Sequence, residues 1–484
     1  MMRKLIVFIR GQLAGRILFF LAATGLQIVL AIAILPLTTI VLTATDFGYF
    51  ALMTSVAAFV NAVADGGGSL ALHAHYGVAT PDERRPMVAS FLLVAFSLSS
   101  ILSINFVVVW PSLVPFIIGA DAEEFSWTIV VLTAALIPLR SLSVMATSIL
   151  SVAGRANAIA AQIASQALGT FAATSIGLFI LHWGVSALFA GAVAGQVASL
   201  AIAAVALGRQ PWTRPSRRWL AVARDHAPTS ALSGLSDGVR GVGENSVIVG
   251  SLGVASLGFY SHARLYYGML LTTTNAVSHN IWSTSLAEAR EKGGQFVKTV
   301  YVWTLVHIGL TLFGIGAVCF GGDIVQLLTN GRLTPAAAMI PWLVNLLLIG
   351  LSGRIQNAMV YAQGGAKAAN RVRAVLSLAA LASLVFVMNA SFGMGGDFAG
   401  VIGVLLMEAA LFRLYLRWKA RKFAKSVAFR DWWVITGLLA ISALYAANRL
   451  YEWSLATRCV VFGVAVASAV VVERRRIASL RHLI

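Results

Sequence analysis

The chain has 484 residues, of which 59% are hydrophobic and only 11% are charged, and its formal net charge is +18. This composition excludes a soluble globular domain, which needs more polar residues to cover its surface. The basic excess would suit a nucleic-acid-binding protein, but the positions of the basic residues along the chain indicate another role.

Fourteen stretches of the sequence are apolar enough to cross a bilayer, for which a helix needs about 20 residues. They are 17–41, 47–73, 87–110, 125–150, 157–181, 183–207, 227–250, 257–282, 296–320, 336–361, 374–392, 398–412, 432–447 and 453–472. The first follows a basic segment and is too long for a signal-peptide core, so we expect it to be retained. The second is interrupted by Gly66, Gly67 and Gly68. The sequence therefore predicts an all-α integral membrane protein of about fourteen transmembrane helices.

The basic residues are concentrated in alternate connections between these stretches. If the N-terminus is cytoplasmic, most of the 36 Lys and Arg residues fall on that side of the membrane. This bias is the positive-inside rule, and it predicts a multi-pass protein of the bacterial inner membrane with both termini in the cytoplasm. We expect the basic residues to fix this topology and to contact anionic membrane lipids, and we predict no nucleic-acid partner.

Two pairs of short motifs indicate an internal duplication. DFGYFALM (46–53) resembles SLGFYSHA (256–263), and AGRANA (153–158) resembles QGGAKA (363–368), both at an offset of 210 residues. Each half would begin on the cytoplasmic side, so the two repeats would be related by an axis along the membrane normal, as in two-lobed carriers with a central cavity. The predicted organisation is a six-helix lobe at 1–208, a basic cytoplasmic linker at 209–226, a second six-helix lobe at 227–412, a basic cytoplasmic loop at 413–431, and two extra helices with a basic tail at 432–484.

Several ionisable residues fall inside the predicted helices. Each costs a few kcal/mol at membrane depth, so such residues rarely persist without a pairing or transport role. Asp237, Arg240 and Glu244 are spaced three and then four apart, which places them on one face of the seventh helix. Arg264, Arg140 and Arg354 lie in the eighth, fourth and tenth helices. One interpretation is a polar cavity whose arginines bind a phosphate or pyrophosphate. The other is a set of static ion pairs that hold the helices together.

Other polar residues have simpler interpretations. Asp65, beside the three glycines at 66–68, is predicted to belong to a hinge or structural element. Cys319 and Cys459 show no metal-ligand spacing and are expected to fill apolar space. We predict no metal and no cofactor.

The motifs FGYFALM, VADGGGSLALHAHY, SLGVASLGFYSHARLYYGML and YAQGGAKAANRV, in this order and spacing, resemble those of the MOP superfamily of exporters. Within it, the chain looks like the polysaccharide flippases of the Wzx type. The resemblance implies a V-shaped fold of two lobes and alternating access. It also implies an undecaprenyl-pyrophosphate-linked oligosaccharide as substrate, moved from the cytoplasmic to the periplasmic leaflet.

The same resemblance suggests roles for individual residues. Related lipid II flippases bind the pyrophosphate with arginines of the central cavity, which makes Arg240 and Arg264 the first candidates here. Arg140 and Arg354 are further candidates because they fall inside predicted helices. In those relatives the two extra C-terminal helices hold the lipid tail. Many relatives have an Asp where the seventh helix reads GENSVIVGSLG, so Glu244, with Asp237, becomes the candidate for binding a coupling H⁺ or Na⁺.

Three alternatives are kept. A lipid II flippase would share the same architecture, and a multidrug exporter of the MATE branch would usually have twelve helices and a more acidic cavity. A membrane-embedded glycosyltransferase or polymerase would need a large external loop or paired interfacial carboxylates, which the sequence does not show, so we predict a transporter and not an enzyme. The expected partners are the lipid-linked oligosaccharide and membrane lipids, with a polymerase and other polysaccharide-assembly proteins as further candidates.

Overall fold

The computed structural model describes residues 14–64, 68–76, 79–117, 126–208, 213–290, 297–353, 356–357, 360, 365–390, 398–420 and 432–480. The regular structure of these residues is helical, which confirms the predicted all-α class. The helices are α1 (Ala14–Val41), α2 (Ala44–Ala64), α3 (Gly68–His75), α4 (Pro81–Ile117), α5 (Trp127–Val152), α6 (Ala156–Phe179), α7 (Ser186–Leu207), α8 (Arg217–Leu252), α9 (Val254–Arg290), α10 (Val297–Leu328), α11 (Ile340–Ser352), α12 (Ala366–Ala390), α13 (Phe398–Ala420), α14 (Trp432–Tyr451) and α15 (Leu455–Leu480), with a 3₁₀ helix at Thr334–Met339 before α11.

Each of the fourteen predicted apolar stretches overlaps one of these helices, and the second stretch is shared by α2 and α3. Nine spans in the described part of the chain are long and apolar enough to cross a membrane. A count of fourteen is compatible with this architecture. Gly68 begins α3, whereas Gly66 and Gly67, where the interruption is predicted, lie outside the described residues.

Helices α8 and α9 are longer than their apolar stretches, with 36 and 37 residues. At 1.5 Å per residue each measures about 55 Å, well beyond the roughly 30 Å of a hydrocarbon core. The helix α8 begins at Arg217, inside the stretch predicted to be a linker, and Gly253 at φ +84° separates it from α9. Hydropathy marks only the apolar middle of such helices, which explains the difference.

The chain divides into two compact units. The first contains residues 1–258 and 370–394, and the second contains residues 259–369 and 395–484. This division follows helix contacts and does not coincide with the predicted lobes at 1–208 and 227–412, so the lobe assignment stays a prediction.

The core of the first unit gathers side chains from α3, α4, α5, α7 and the start of α8. Leu72, Phe91 and Met145 are fully buried there, and Trp219 of α8 packs on the same cluster. Its indole meets the Phe91 ring edge-to-face at a centroid distance of 6.3 Å. The N-terminal turns of α8 are therefore docked on the first unit by an aromatic anchor.

Two glycines make a reciprocal contact where the first turns of α2 and α9 cross. A Cβ atom added to Gly48 would collide with the backbone carbonyl of Val254, and one added to Gly258 would collide with the backbone carbonyl of Ala44. Gly48 and Gly258 are 210 positions apart, and so are Ala44 and Val254. The contact of Gly48 with Val254 is thus repeated by the contact between the equivalent positions, Gly258 and Ala44, as expected around a local two-fold axis.

We expect Gly258→Ala to destabilise the protein because its methyl group has to push the two helices apart, and overpacking of this kind typically costs about 1–3 kcal/mol. Gly250→Ala is the matched control, since a Cβ there meets nothing within 4 Å. In that helical position alanine should be neutral or stabilising by up to about 1 kcal/mol. In detergent, the midpoint of thermal unfolding should fall for Gly258→Ala and should stay the same or rise for Gly250→Ala. Equal shifts would contradict the close contact.

Candidate functional site

The structure brings Arg240 and Glu244 of α8 together. The Arg240 Nε atom lies 3.9 Å from Glu244 Oε2, and the side chain of Glu244 is only 2% exposed while that of Arg240 is 24% exposed. The buried carboxylate is thus compensated by a guanidinium that keeps one side accessible. Next to them, the amide of Asn245 donates a 3.5 Å hydrogen bond to the Ala51 carbonyl of α2.

Small residues on α8 set the direction of this charged pair. Cβ atoms at Gly234 and Gly238 would collide with Ala62 and Phe59 of α2, and one at Gly243 would collide with Leu381 of α12. Close approach through glycines is typical of helix packing in membranes. At about 100° per residue, the side facing α2 and the side facing α12 are roughly opposite, and the charged pair projects between them. Packing of the backbone, and not the ion pair itself, therefore orients the charges.

Arg264 of α9, in the second unit, is held by an aromatic side chain. Its guanidinium carbon lies 5.6 Å from the ring centroid of Tyr260, one helical turn earlier. Tyr260 is fully buried and stacks on Phe398 of α13, with centroids 6.0 Å apart and ring planes 8° apart. The π face of Tyr260 holds the guanidinium in a defined position, and a half-buried guanidinium is a group suited to an anionic ligand.

Arg140 is on the surface of the first unit. It is exposed in the middle of α5, whereas Ile137 and Ser141 on either side of it are buried. The structure therefore turns Arg140 away from the core of its own unit.

The remaining predicted site residues are described incompletely. Asp237 lies in α8, but only its place in the helix is described. Arg354, Asp65, Gly66 and Gly67 lie outside the described residues. Gly68 begins α3 and packs against Met145 of α5, where a Cβ would approach the methionine methyl to 2.5 Å.

A cavity in the second unit has a volume of about 570 Å³ and lies between α10, α14 and α15. Most of its lining is aliphatic, with Ile315, Leu312, Leu444 and Val464 among the larger side chains. The resemblance suggests a lipid groove on the last two helices, and this stays a prediction. The sequence did not indicate that α10 would line a cavity together with them. Phe398 beneath Tyr260 was also missed, because a ring contact between helices far apart in sequence leaves no local pattern.

The described residues contain no group of three or more His, Cys, Asp or Glu side chains that could hold a metal ion. What the described residues offer chemically is a paired arginine, an arginine on an aromatic ring and an apolar cavity. These suit the binding of an anionic group and a hydrocarbon chain.

Residues 40–329 match a family described as polysaccharide biosynthesis protein. Among proteins with curated functions, none matches this sequence.

Solved structures with a similar fold are transporters of the MOP superfamily. One, a MOP superfamily transporter from Pyrococcus furiosus whose binding pocket of reverse polarity suggests a different function, has 15% identity and a TM-score of 0.56, with 89% of this chain and 95% of that chain covered. A multidrug resistance MATE family transporter in an inward-facing conformation has 14% identity and a TM-score of 0.55, covering 84% and 96%. The outward-facing conformation of a transporter of the same description has 17% identity and a TM-score of 0.52, covering 90% and 97%.

The family match and these folds confirm the predicted resemblance to the MOP superfamily. They also agree with the prediction of a transporter in place of an enzyme. At these identities the structures establish the fold and not the substrate.

A double-mutant cycle tests whether Arg240 and Glu244 depend on each other. Arg240→Gln and Glu244→Gln should each lower the free energy of unfolding, because each removes an oppositely charged partner from the other residue at membrane depth. The free energy of unfolding of the double variant should fall by less than the sum of the losses in the two single variants. The expected coupling energy is at least about 0.5 kcal/mol, the lower bound for residues in contact. Unfolding by denaturant in detergent measures the three free energies.

The control cycle uses the exposed pair Arg224 and Asp225, whose side chains are 82% and 72% accessible. Solvent screening should leave no measurable coupling there. Strict additivity of Arg240→Gln and Glu244→Gln would show that the charges are independent.

Proposed function

This chain belongs to the polysaccharide biosynthesis protein family, and we propose that it flips a lipid-linked oligosaccharide across the bacterial inner membrane by alternating access. The observation that carries the proposal is the family match over residues 40–329 in a chain with the fold of MOP transporters. The proposed substrate is an undecaprenyl-pyrophosphate-linked oligosaccharide, moved from the cytoplasmic to the periplasmic leaflet.

The physical need for such a protein comes from the hydroxyl groups of the sugar. Each hydroxyl that enters hydrocarbon without a hydrogen-bond partner costs several kcal/mol, so an oligosaccharide does not cross unaided. A wet passage lined by polar groups removes this barrier. The prenyl tail has no such barrier and remains in an apolar environment throughout.

We assign the pyrophosphate to arginines, with Arg264 and Arg240 first and with Arg140 and Arg354 as further candidates. Guanidinium groups bind phosphate oxygens through two parallel hydrogen bonds. Support comes from the contact of Arg264 with Tyr260, which holds the charge in place, and from the partial exposure of Arg240 beside its buried carboxylate.

Glu244, together with Asp237, is the proposed coupling site for H⁺ or Na⁺. Support for Glu244 is its burial next to Arg240, because a proton or sodium ion bound to the carboxylate would compete with that guanidinium. Cation binding would then free Arg240 for the substrate phosphate, and cation release would withdraw it. This exchange would link ion movement to substrate release.

The tail of the carrier lipid is assigned to the cavity between α10, α14 and α15, whose aliphatic lining suits it. Both termini are proposed to be cytoplasmic, with the basic connections in contact with anionic lipid. A polymerase and other assembly proteins are the proposed downstream partners.

The first test is deletion of the gene and rescue by variants. Deletion should reduce surface polysaccharide and accumulate its lipid-linked precursor. Arg264→Ala and Arg240→Ala should fail to restore export, because each loses a charge-assisted contact to the pyrophosphate, whereas Arg264→Lys should restore it in part. The surface glycan and the lipid-linked pool are measured by mass spectrometry.

Arg224→Ala is the control, since Arg224 lies in α8, the same helix as Arg240, but is 82% exposed. It should rescue fully at an equal protein level. Full rescue by both Arg264→Ala and Arg240→Ala would show that these arginines do not bind the pyrophosphate. A loss of peptidoglycan synthesis on deletion would instead identify a lipid II flippase.

A second test concerns the driving force. Outward movement of an anionic headgroup is favoured by about 2.3 kcal/mol per charge at 100 mV, interior negative. Flipping in proteoliposomes should therefore speed up with an imposed potential, and Glu244→Gln should keep this response while losing any dependence on an H⁺ or Na⁺ gradient. Flipping that ignores both potential and ion gradients would rule out the coupling scheme.

A further inference from the structure

Two histidines of the first unit lie side by side where α3 ends and α8 begins. The imidazole rings of His75 on α3 and His226 on α8 meet edge to face, with their centroids 5.7 Å apart and their planes at 69°. Both side chains are half-buried, so the pair keeps an open side. With the proposed topology, this end of the unit is the cytoplasmic one.

A buried tryptophan holds one of the two imidazoles in place. The ring of His75 also meets the indole of Trp219 edge to face, at a centroid distance of 5.9 Å. Trp219 is only 4% exposed and packs on Phe91. Trp219 and His226 are seven positions apart on α8, which places them on one face of the helix, about 10.5 Å apart along its axis. His75 therefore lies between two rings of α8, of which one belongs to the packed core.

Neither imidazole of this pair has a hydrogen-bond partner among the residues that the structure describes. Other histidines of the chain differ in this respect. His262 shares a 3.3 Å hydrogen bond with the hydroxyl group of Tyr266, and His307 donates from Nδ1 to the Trp303 carbonyl. Because polar groups away from bulk water normally have partners, the ring nitrogens of the pair are available to a ligand.

The charged groups near the pair partly compensate one another. Arg218 forms an ion pair with Glu83, and Arg224 lies 3.8 Å from Asp225. On α5, which also packs against α3, Arg140 is turned away from the core. A cation between the two histidines would therefore meet guanidinium groups whose charge is already offset in part. The charged residues on the adjoining turns of α4 and α8 are Asp82, Glu83, Arg84, Arg85, Arg217, Arg218, Arg224 and Asp225.

We propose that His75 and His226 bind one divalent transition-metal ion, Zn²⁺ or Cu²⁺, between α3 and α8, with water molecules as the remaining ligands. Neutral imidazole is a preferred ligand of both ions. Two protein ligands are fewer than the four of a structural zinc site, so binding is reversible and folding does not require the ion. This inference does not depend on the flippase function.

The spacing of the two rings suits one shared ion. A bond of about 2.0–2.1 Å between zinc and a ring nitrogen places the ion roughly 3 Å from the centroid of that ring. Two imidazoles at a tetrahedral angle then have centroids about 5 Å apart. The observed 5.7 Å is slightly longer, and rotation of the half-buried His226 side chain can close the difference while Trp219 keeps His75 in position.

The test uses the full-length protein in detergent, without a polyhistidine tag, and Cu²⁺ as the probe. At one equivalent of Cu²⁺, the electron paramagnetic resonance spectrum should show splitting by two imidazole nitrogens, and an excess of Zn²⁺ should displace the copper. A wild-type spectrum without this splitting would overturn the proposal.

Two variants remove one ligand each. His75→Asn and His226→Asn should each weaken Cu²⁺ binding at least about tenfold, because a single imidazole cannot chelate the ion. His182→Asn is the matched control, since His182 lies in the turn between α6 and α7 of the same unit and its φ of +53° suits asparagine. Unchanged binding in both ligand variants would assign the copper to other residues and reject the site.

Thermal unfolding provides a second readout and also checks that each variant folds. Without metal, the midpoints of the three variants should stay close to that of the wild type. Saturating Zn²⁺ should raise the midpoint by a few degrees in the wild type and in His182→Asn, because the ion binds the folded state, and should leave His75→Asn and His226→Asn unchanged. An equal rise in all four proteins would contradict a site between α3 and α8.

The dependence on pH tests the chemical identity of the ligands. Protons compete with metal ions for imidazole nitrogens, so the affinity for Cu²⁺ should fall at least about tenfold between about pH 7 and pH 5.5. A constant affinity over this range would show that the ligands are not imidazoles.

Discussion

Every part of this architecture depends on one constraint: in hydrocarbon, a polar group has to find its partner within the protein. The backbone meets it by forming helices, which is the regular structure throughout the described residues. The side chains meet it in different ways. Glu244 is compensated by Arg240, Arg264 by the face of Tyr260, and Asp323 by Arg458. Each solution leaves a charge in a defined place, and that placement makes a binding site feasible.

Fold prediction from the sequence worked well because the bilayer imposes a strong and simple signal. Apolar stretches of fixed length mark helices whatever the tertiary contacts, and all fourteen overlap a helix. Hydropathy missed the extensions of α8 and α9, because polar turns beyond the bilayer follow ordinary helix rules. The spacing of Arg240 and Glu244 predicted a shared face, since that relation is local.

The candidate site was less predictable because its contacts are distant in sequence. The stacking of Tyr260 on Phe398 joins α9 to α13, and the cavity needs α10 as well as α14 and α15. Arg140 shows that an unusual residue in the sequence need not lie in the core. Its charge within an apolar stretch made it a candidate, yet it faces away from the core of its unit. Composition identifies an unusual residue, whereas packing decides what it meets.

The crossing at Gly48 and Gly258 has a consequence for how this sequence can change. Each glycine makes room for the main chain of the other half, so a larger residue in either copy disturbs the same crossing. After a duplication, one copy of a residue can usually change while the other keeps the original role. Here both glycines are needed for the same helix crossing. A bulky substitution in one half could not be rescued by keeping the ancestral residue in the other, and the two halves would have to move apart together. Natural selection would therefore act on the two glycines together.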